Sequence, residues 1–207
     1  MDADIASERT RLVDMAIALA GRRGEETSRA ALAAEARLPR TRIETLFPEE
    51  EDLFDATVER WFEPEIAIME TVLASDLPPN RKMYEFFARR FLRRRAEFRR
   101  DPGLYRMLNE LGAARFERVR SFVDLADHYL CEIIAQAQAD GHFGGLEIDR
   151  ALSLINQMVL AYTLPDMVAM LDERLSEDRL AAIVDTLFAG LGGTGGGASG
   201  QADLRGA

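Results

Sequence analysis

Apolar residues recur along the chain at intervals of three and four, the spacing of one helix face. Sustained strand-like alternation and Asn-Gly or Asp-Gly hairpin turns are absent. Leu12, Ala16 and Leu19 share a face of a first helix over 7–19, with Gly21 and Gly24 to end it. Thr27 or Ser28 caps a short second helix reaching Ala36, and Pro39 opens a third that ends near Phe47. Pro48, followed by Glu49, Glu50, Glu51 and Asp52, starts a fourth, the acids matching the positive end of its dipole; Pro64 should kink or split it. Ser75-Asp76-Leu77-Pro78-Pro79-Asn80 reads as a linker. Further helices are expected over 81–100, 102–111 (capped by Asp101), 115–139, 148–171 with a bend at Pro165, and 176–191. From Gly192, seven of the last 16 residues are Gly, the composition of a disordered tail. The pattern is all-α: a small N-terminal unit over 1–62, a larger helical unit over 63–191, and the tail over 192–207.

Composition narrows the class. The 207 residues hold 26 basic against 36 acidic side chains, a net charge of −10, which does not suit a non-specific nucleic-acid binder. A single cysteine excludes an intrachain disulfide, and the acidic start lacks the basic flank and apolar run of a secretory signal. The uncharged apolar stretch from Ala151 to Pro165 is too short to span a bilayer. A cytoplasmic protein without membrane partners is expected. Charge is uneven, however. Nine basic residues between Arg81 and Arg100 face only Glu85 and Glu97, so this segment is +7. It reads first as a solvated, salt-bridged helix face, with an anionic effector site or a face for an acidic partner as functional alternatives.

Three short helices and a longer one within about 60 residues have the dimensions of a helix-turn-helix domain, and only Arg37 and Leu38 separate the second helix from Pro39. In that motif the start of the later helix reaches base edges in the major groove. Here it carries Arg40, Thr41 and Arg42, with Thr45 one turn on; Arg pairs with guanine and the Thr methyl with thymine. Arg29 and Arg37 flank the site, and Thr27 and Ser28 stand where a helix N-terminus meets phosphate.

Leu12, Ala16, Gly24, Thr27, Ser28, Leu32, Ala33, Ala36, Leu38, Ile43, Phe47, Pro48 and Leu53 together resemble the pattern of the TetR/AcrR family of bacterial regulators. Beyond residue 60 the resemblance is one of architecture: a helical ligand-binding and dimerisation domain. It implies a homodimer on a palindromic operator in double-stranded DNA, answering to a small-molecule effector. The chain departs from the family where Arg37-Leu38-Pro39 replaces the usual Gly-Val-Ser turn. Glu44, Leu46 and Glu50 stand where Tyr, His or Tyr, and Lys ordinarily serve phosphate. Residues 1–62 hold nine Arg against 14 acidic residues. A second reading therefore stays open: a TetR-like interaction factor with weakened or lost DNA binding.

Ala151 to Leu164 is apolar around most of its circumference, which requires burial on more than one side. Leu152, Ile155 and Val159, with Leu180, Ile183, Val184 and Leu187 of the last helix, are the expected dimer face. An effector cavity implied by the resemblance would draw on Phe87, Phe91, Tyr105, Met107, Leu108, Phe122, Tyr129, Met158 and Tyr162, although stripes of this spacing also build ordinary core. No nucleophile–base arrangement stands out. Asp124, His128 and Cys131 share a helix face but lack the further ligands of a metal site. Neither enzymatic activity nor a cofactor is expected.

Overall fold

The computed structural model describes residues 2–191, and every regular element among them is a helix. The Gly-rich tail expected from residue 192 lies outside the described residues. The N-terminal unit comprises α1 (Asp2–Arg23), α2 (Arg29–Ala36) and α3 (Arg40–Leu46). Then come α4 (Glu50–Leu73), α5 (Pro79–Arg100), α6 (Pro102–Ala114) and α7 (Phe116–Ala139). The chain closes with α8 (Ile148–Met158), α9 (Leu160–Thr163), α10 (Pro165–Leu171) and α11 (Glu177–Gly190). No described helix is long and apolar enough to cross a membrane.

Local chemistry accounts for most boundaries. Ser28 caps α2 by accepting from the Ala31 amide at 3.2 Å, and Asp101 caps α6 by accepting from Leu104 at 2.9 Å. Glu49 and Asp52 form a reciprocal capping box at the start of α4. Helix α1 continues past Leu19 and through Gly21, ending where Gly24 takes a φ of +68°.

Two apolar clusters organise the packing. Leu12, Val13, Ala16, Leu32, Ile43 and Phe47 meet Leu53 and Ala56 from the first half of α4. Met69 and Val72 from its second half join the larger core with Phe86, Phe91, Leu130, Ile133, Ile155 and Leu180. One helix thus belongs to both cores, and residue 62, where the sequence pattern divides the units, lies inside it. The helix is not split at Pro64: α4 runs through it, held by packing on both sides. By contrast, the helix expected over 148–171 is broken twice. Leu164 is extended (ψ 126°), as the residue before a proline prefers, and Val159 leaves helical geometry at ψ 7°.

The residues of the expected dimer face pack inward within this chain. Ile155, Val159, Leu180, Val184 and Leu187 are buried in this chain's own core, and Leu152 and Ile183 lie half-buried against it. Between α8 and α10 the exposed large apolar side chains are Met158, Leu160, Leu164 and Met170, at 46, 44, 42 and 68%, of which Leu160 and Leu164 border the cavity described below. Periodicity located the two-sided apolar segment but not which side faced inward.

Candidate nucleic-acid interface and effector cavity

The turn between α2 and α3 is built without glycine. Arg37 takes the left-handed conformation (φ 53°, ψ 40°), and the amides of Arg37 and Leu38 close the end of α2 on Ala34 and Ala33, at 3.3 and 3.1 Å. Left-handed geometry costs a residue bearing a Cβ about 1 kcal/mol or more. The same geometry puts the Arg37 side chain on the surface, and no ion pair holds it among the described residues.

Helix α3 presents Arg40, Thr41 and Thr45 outward, while Ile43 is buried beneath them. Its cations are not free. Arg40 Nε donates to Glu44 at 2.9 Å, and Arg42 pairs with Glu8 of α1, which holds the Glu8 carboxyl below the usual carboxylate range. Thr45 Oγ1 donates to the Thr41 carbonyl at 2.8 Å.

Two of the residues expected at the DNA surface are turned inward. Thr27 is buried, and its hydroxyl donates to the Ala16 carbonyl at 2.9 Å, tying the start of α2 to α1. Arg29 donates to the carbonyls of Phe47 (3.0 Å) and Pro48, satisfying the chain as it leaves α3. Glu50, expected to face phosphate, instead accepts from the Arg29 amide at 2.8 Å and lies 3.4 Å from its guanidinium. Of the residues named for this surface, Ser28, Arg37, Arg40, Thr41 and Thr45 are exposed and Arg42 is partly so.

A cavity of about 690 Å³ lies among α4, α5, α6, α7 and α9. Phe87, Tyr105, Met107, Leu108 and Phe122 line it as expected. Four other expected residues do not. Phe91 is buried edge-on against Tyr162 at 5.1 Å, and the Tyr162 hydroxyl donates to the Ser176 carbonyl at 3.1 Å. Tyr129 donates to Glu70 at 3.2 Å, and Met158 points outward. The α4 wall escaped the sequence reading: Trp61, Phe62 (stacked on Phe122 at 4.8 Å), Glu65 and Ile66. At one end Ala16, Ala20, Glu26 and Thr27 of the N-terminal unit complete the lining. There Arg115 grips Glu26 through two nitrogens, at 2.7 and 2.8 Å, and Arg118 meets Asp55 at 2.6 Å.

The polar wall centres on Glu65, only 2% exposed. Arg94 grips it through Nε and Nη2 at 2.6 and 2.7 Å; Arg90 and Arg93 each add a donor, at 3.3 and 3.4 Å. Burial alone would raise this carboxyl, but the three guanidinium groups, Arg94 foremost, bring it down to about 2. Arg94 also donates to the Thr163 carbonyl at the end of α9, so one side chain ties α4, α5 and α9 together. Arg95 and Arg99 both bind Asp172, at 2.6 and 2.9 Å. The arginine-rich segment is therefore only in part the expected solvated, salt-bridged face: Arg81, Arg89 and Arg99 are exposed and paired, but Arg90, Arg93, Arg94 and Arg95 have side chains only 12–19% exposed.

These features define a two-part helical protein, in which a helix-turn-helix unit shares one helix with a cavity-bearing bundle. A family model described as "Tetracyclin repressor-like, C-terminal domain" matches residues 79–184. The chain belongs to the TetR family. Its fold is similar to that of the TetR family transcriptional regulator PfmR from Thermus thermophilus, at 17% identity and a TM-score of 0.54, covering 87% of this chain and 98% of that one. The structure of HlyIIR, a hemolysin II transcriptional regulator, is also similar, at 17% identity and a TM-score of 0.48, covering 88% and 98% of the two chains. A comparison with curated proteins returns no significant match.

Proposed function

We propose that this protein is a non-enzymatic, ligand-responsive transcriptional regulator in the cytoplasm. In this reading it represses transcription as a homodimer on a palindromic operator. The observation that carries the proposal is the continuity of α4. It packs in the helix-turn-helix core through Leu53 and Ala56, and lines the cavity through Trp61, Phe62 and Glu65. A ligand that favours one arrangement of the cavity walls acts on the helix that also supports α3. Such coupling requires that the ligand bind the two arrangements with different affinity.

DNA contact falls to Arg37, Arg40, Thr41 and Thr45, with Arg42 available once it leaves Glu8, and Ser28 at the start of α2. Dimerisation falls to the outer side of α8 and α10, where Met158 and Met170 are exposed and take no part in the cavity lining. It would bring two α3 helices to half-sites about one DNA turn apart, roughly 34 Å. Retention of a palindromic duplex selected from genomic fragments, and its loss in Arg40→Ala without loss of the dimer, tests this reading; unchanged affinity in that variant counts against it.

The second reading, an interaction factor with weakened DNA binding, draws on the pairing of Arg40 with Glu44 and of Arg42 with Glu8. Phosphate must displace a carboxylate at each position, and every displaced pair lowers affinity and its salt dependence. A folded dimer that selects no duplex at low salt would favour it.

A further inference from the structure

The cavity wall is mostly apolar, yet it holds one cation whose donors are largely unmet. Arg94 commits all three of its nitrogens, to Glu65 and to the Thr163 carbonyl. Arg93 is occupied by Glu65, the Trp61 carbonyl and Glu97. Arg90 differs: among the described residues its one hydrogen bond runs from Nε to Glu65, at 3.3 Å. Its guanidinium stacks over the Phe86 ring at 4.9 Å, and its side chain is 12% exposed. Both terminal nitrogens lack a protein acceptor.

Burial, with the neighbouring Arg94 charge, draws Arg90 down to about 10, so the nearby carboxylates leave its charge incompletely balanced. Asp127 shares the wall, but its carboxylate is held by Asn156 Nδ2 at 3.0 Å and makes no hydrogen bond to Arg90. A planar guanidinium with both terminal nitrogens open matches a carboxylate through two parallel bonds. The volume of about 690 Å³ falls within the roughly 300–1,000 Å³ of sites for small organic ligands.

We infer that the cavity takes an apolar molecule ended by a single carboxylate, with the carboxylate on Arg90 and the apolar body along Phe86, Phe87, Trp61 and Phe122. This rests on the effector reading of the cavity. The bound carboxylate competes with Glu65 for Arg90 and so loosens one tie between α4 and α5, the route by which occupancy reaches the helix-turn-helix unit.

Trp61, the sole tryptophan of the chain, lies in the cavity wall and reports occupancy by its emission. Dodecanoate, 1-dodecanol and dodecylamine, titrated below their micelle concentrations, present one apolar body with three heads. Dodecanoate is expected to bind about ten- to a hundredfold tighter than the alcohol. Arg90→Met should erase that difference while keeping affinity for the alcohol. If Arg90→Met fails to fold, the head-group series on the unaltered protein decides alone. Equal affinity for acid and alcohol, preference for the amine, or binding of none of the three overturns the inference. The same probes added to the protein on its selected DNA separate the two claims. Carboxylate-selective binding that leaves DNA affinity unchanged upholds the site and overturns the effector reading. Release by acid and alcohol alike upholds the effector reading and overturns the carboxylate preference.

Discussion

Replacing Glu65 with Gln strips the counter-charge from three arginines at once. Arg94 loses its two short bonds to a carboxylate, and Arg90 and Arg93 lose their longer ones. The arginines hold this carboxyl at about 2 rather than its ordinary 4.5. At 1.36 kcal/mol per pKa unit, that difference corresponds to about 3 kcal/mol of stability at neutral pH. It agrees with the roughly 3–5 kcal/mol typical of breaking a buried ion pair from one side. For a chain of this size the melting temperature should fall by about 6–12 °C. The sign with pH follows from the depressed folded value. The contribution is complete above about 4.5 and is lost as pH falls toward about 2, so the gap between parent and Glu65→Gln narrows on acidification. Thermal melts followed by circular dichroism between pH about 7 and about 3 read this directly. Glu65→Leu combined with Arg94→Met should recover part of the loss, because the Arg94 charge is then no longer stranded, while Arg90 and Arg93 still lack their carboxylate. A Glu65→Gln protein melting within about 2 °C of the parent at neutral pH, or a gap that does not change with pH, refutes the reasoning.

Arg37→Gly relieves the left-handed turn while deleting an exposed cation. It should gain about 1 kcal/mol of stability and lose about one phosphate's worth of salt dependence in DNA binding; a single loss in both measurements contradicts the assignment. Glu44→Gln releases Arg40 and should strengthen operator binding about twofold or more at moderate salt, whereas weaker binding would show that the pair orients Arg40 productively. Met158→Glu with Met170→Glu places charge on the exposed apolar side of α8 and α10 and should give a monomer of unchanged helicity in sedimentation equilibrium; a persistent dimer moves the interface elsewhere.

Elements governed by local chemistry were legible in the sequence. Ser28, Asp101 and Ser176 cap the helices they were expected to start, and Leu12 and Ala16 pack as their spacing implied, in a small core with Leu32, Ile43 and Phe47, three positions of the family resemblance. What escaped depends on contacts distant in the chain. Nothing local in the sequence marks Glu65, because its arginine partners lie 25 to 29 residues away. Those arginines looked solvated for the same reason. Ile155 and Met158 are equally apolar, yet one fills the core and the other faces outward, a choice made by the packing of α5, α7 and α11. Thr27 has the chemistry of a phosphate ligand and the position of a core hydroxyl; only the approach of Ala16 decides between them. The cavity lining was half legible, since aromatic core and aromatic wall share one composition.

The central claim is that an effector cavity and a DNA-reading helix are joined through α4. Its most direct test is selection of genomic DNA fragments by the purified, ligand-free dimer at two salt concentrations. One palindromic motif should be enriched at the lower salt, weakened at the higher, and lost in Arg40→Ala. A folded dimer that enriches no motif at either salt, or one that Arg40→Ala enriches equally well, would contradict that claim.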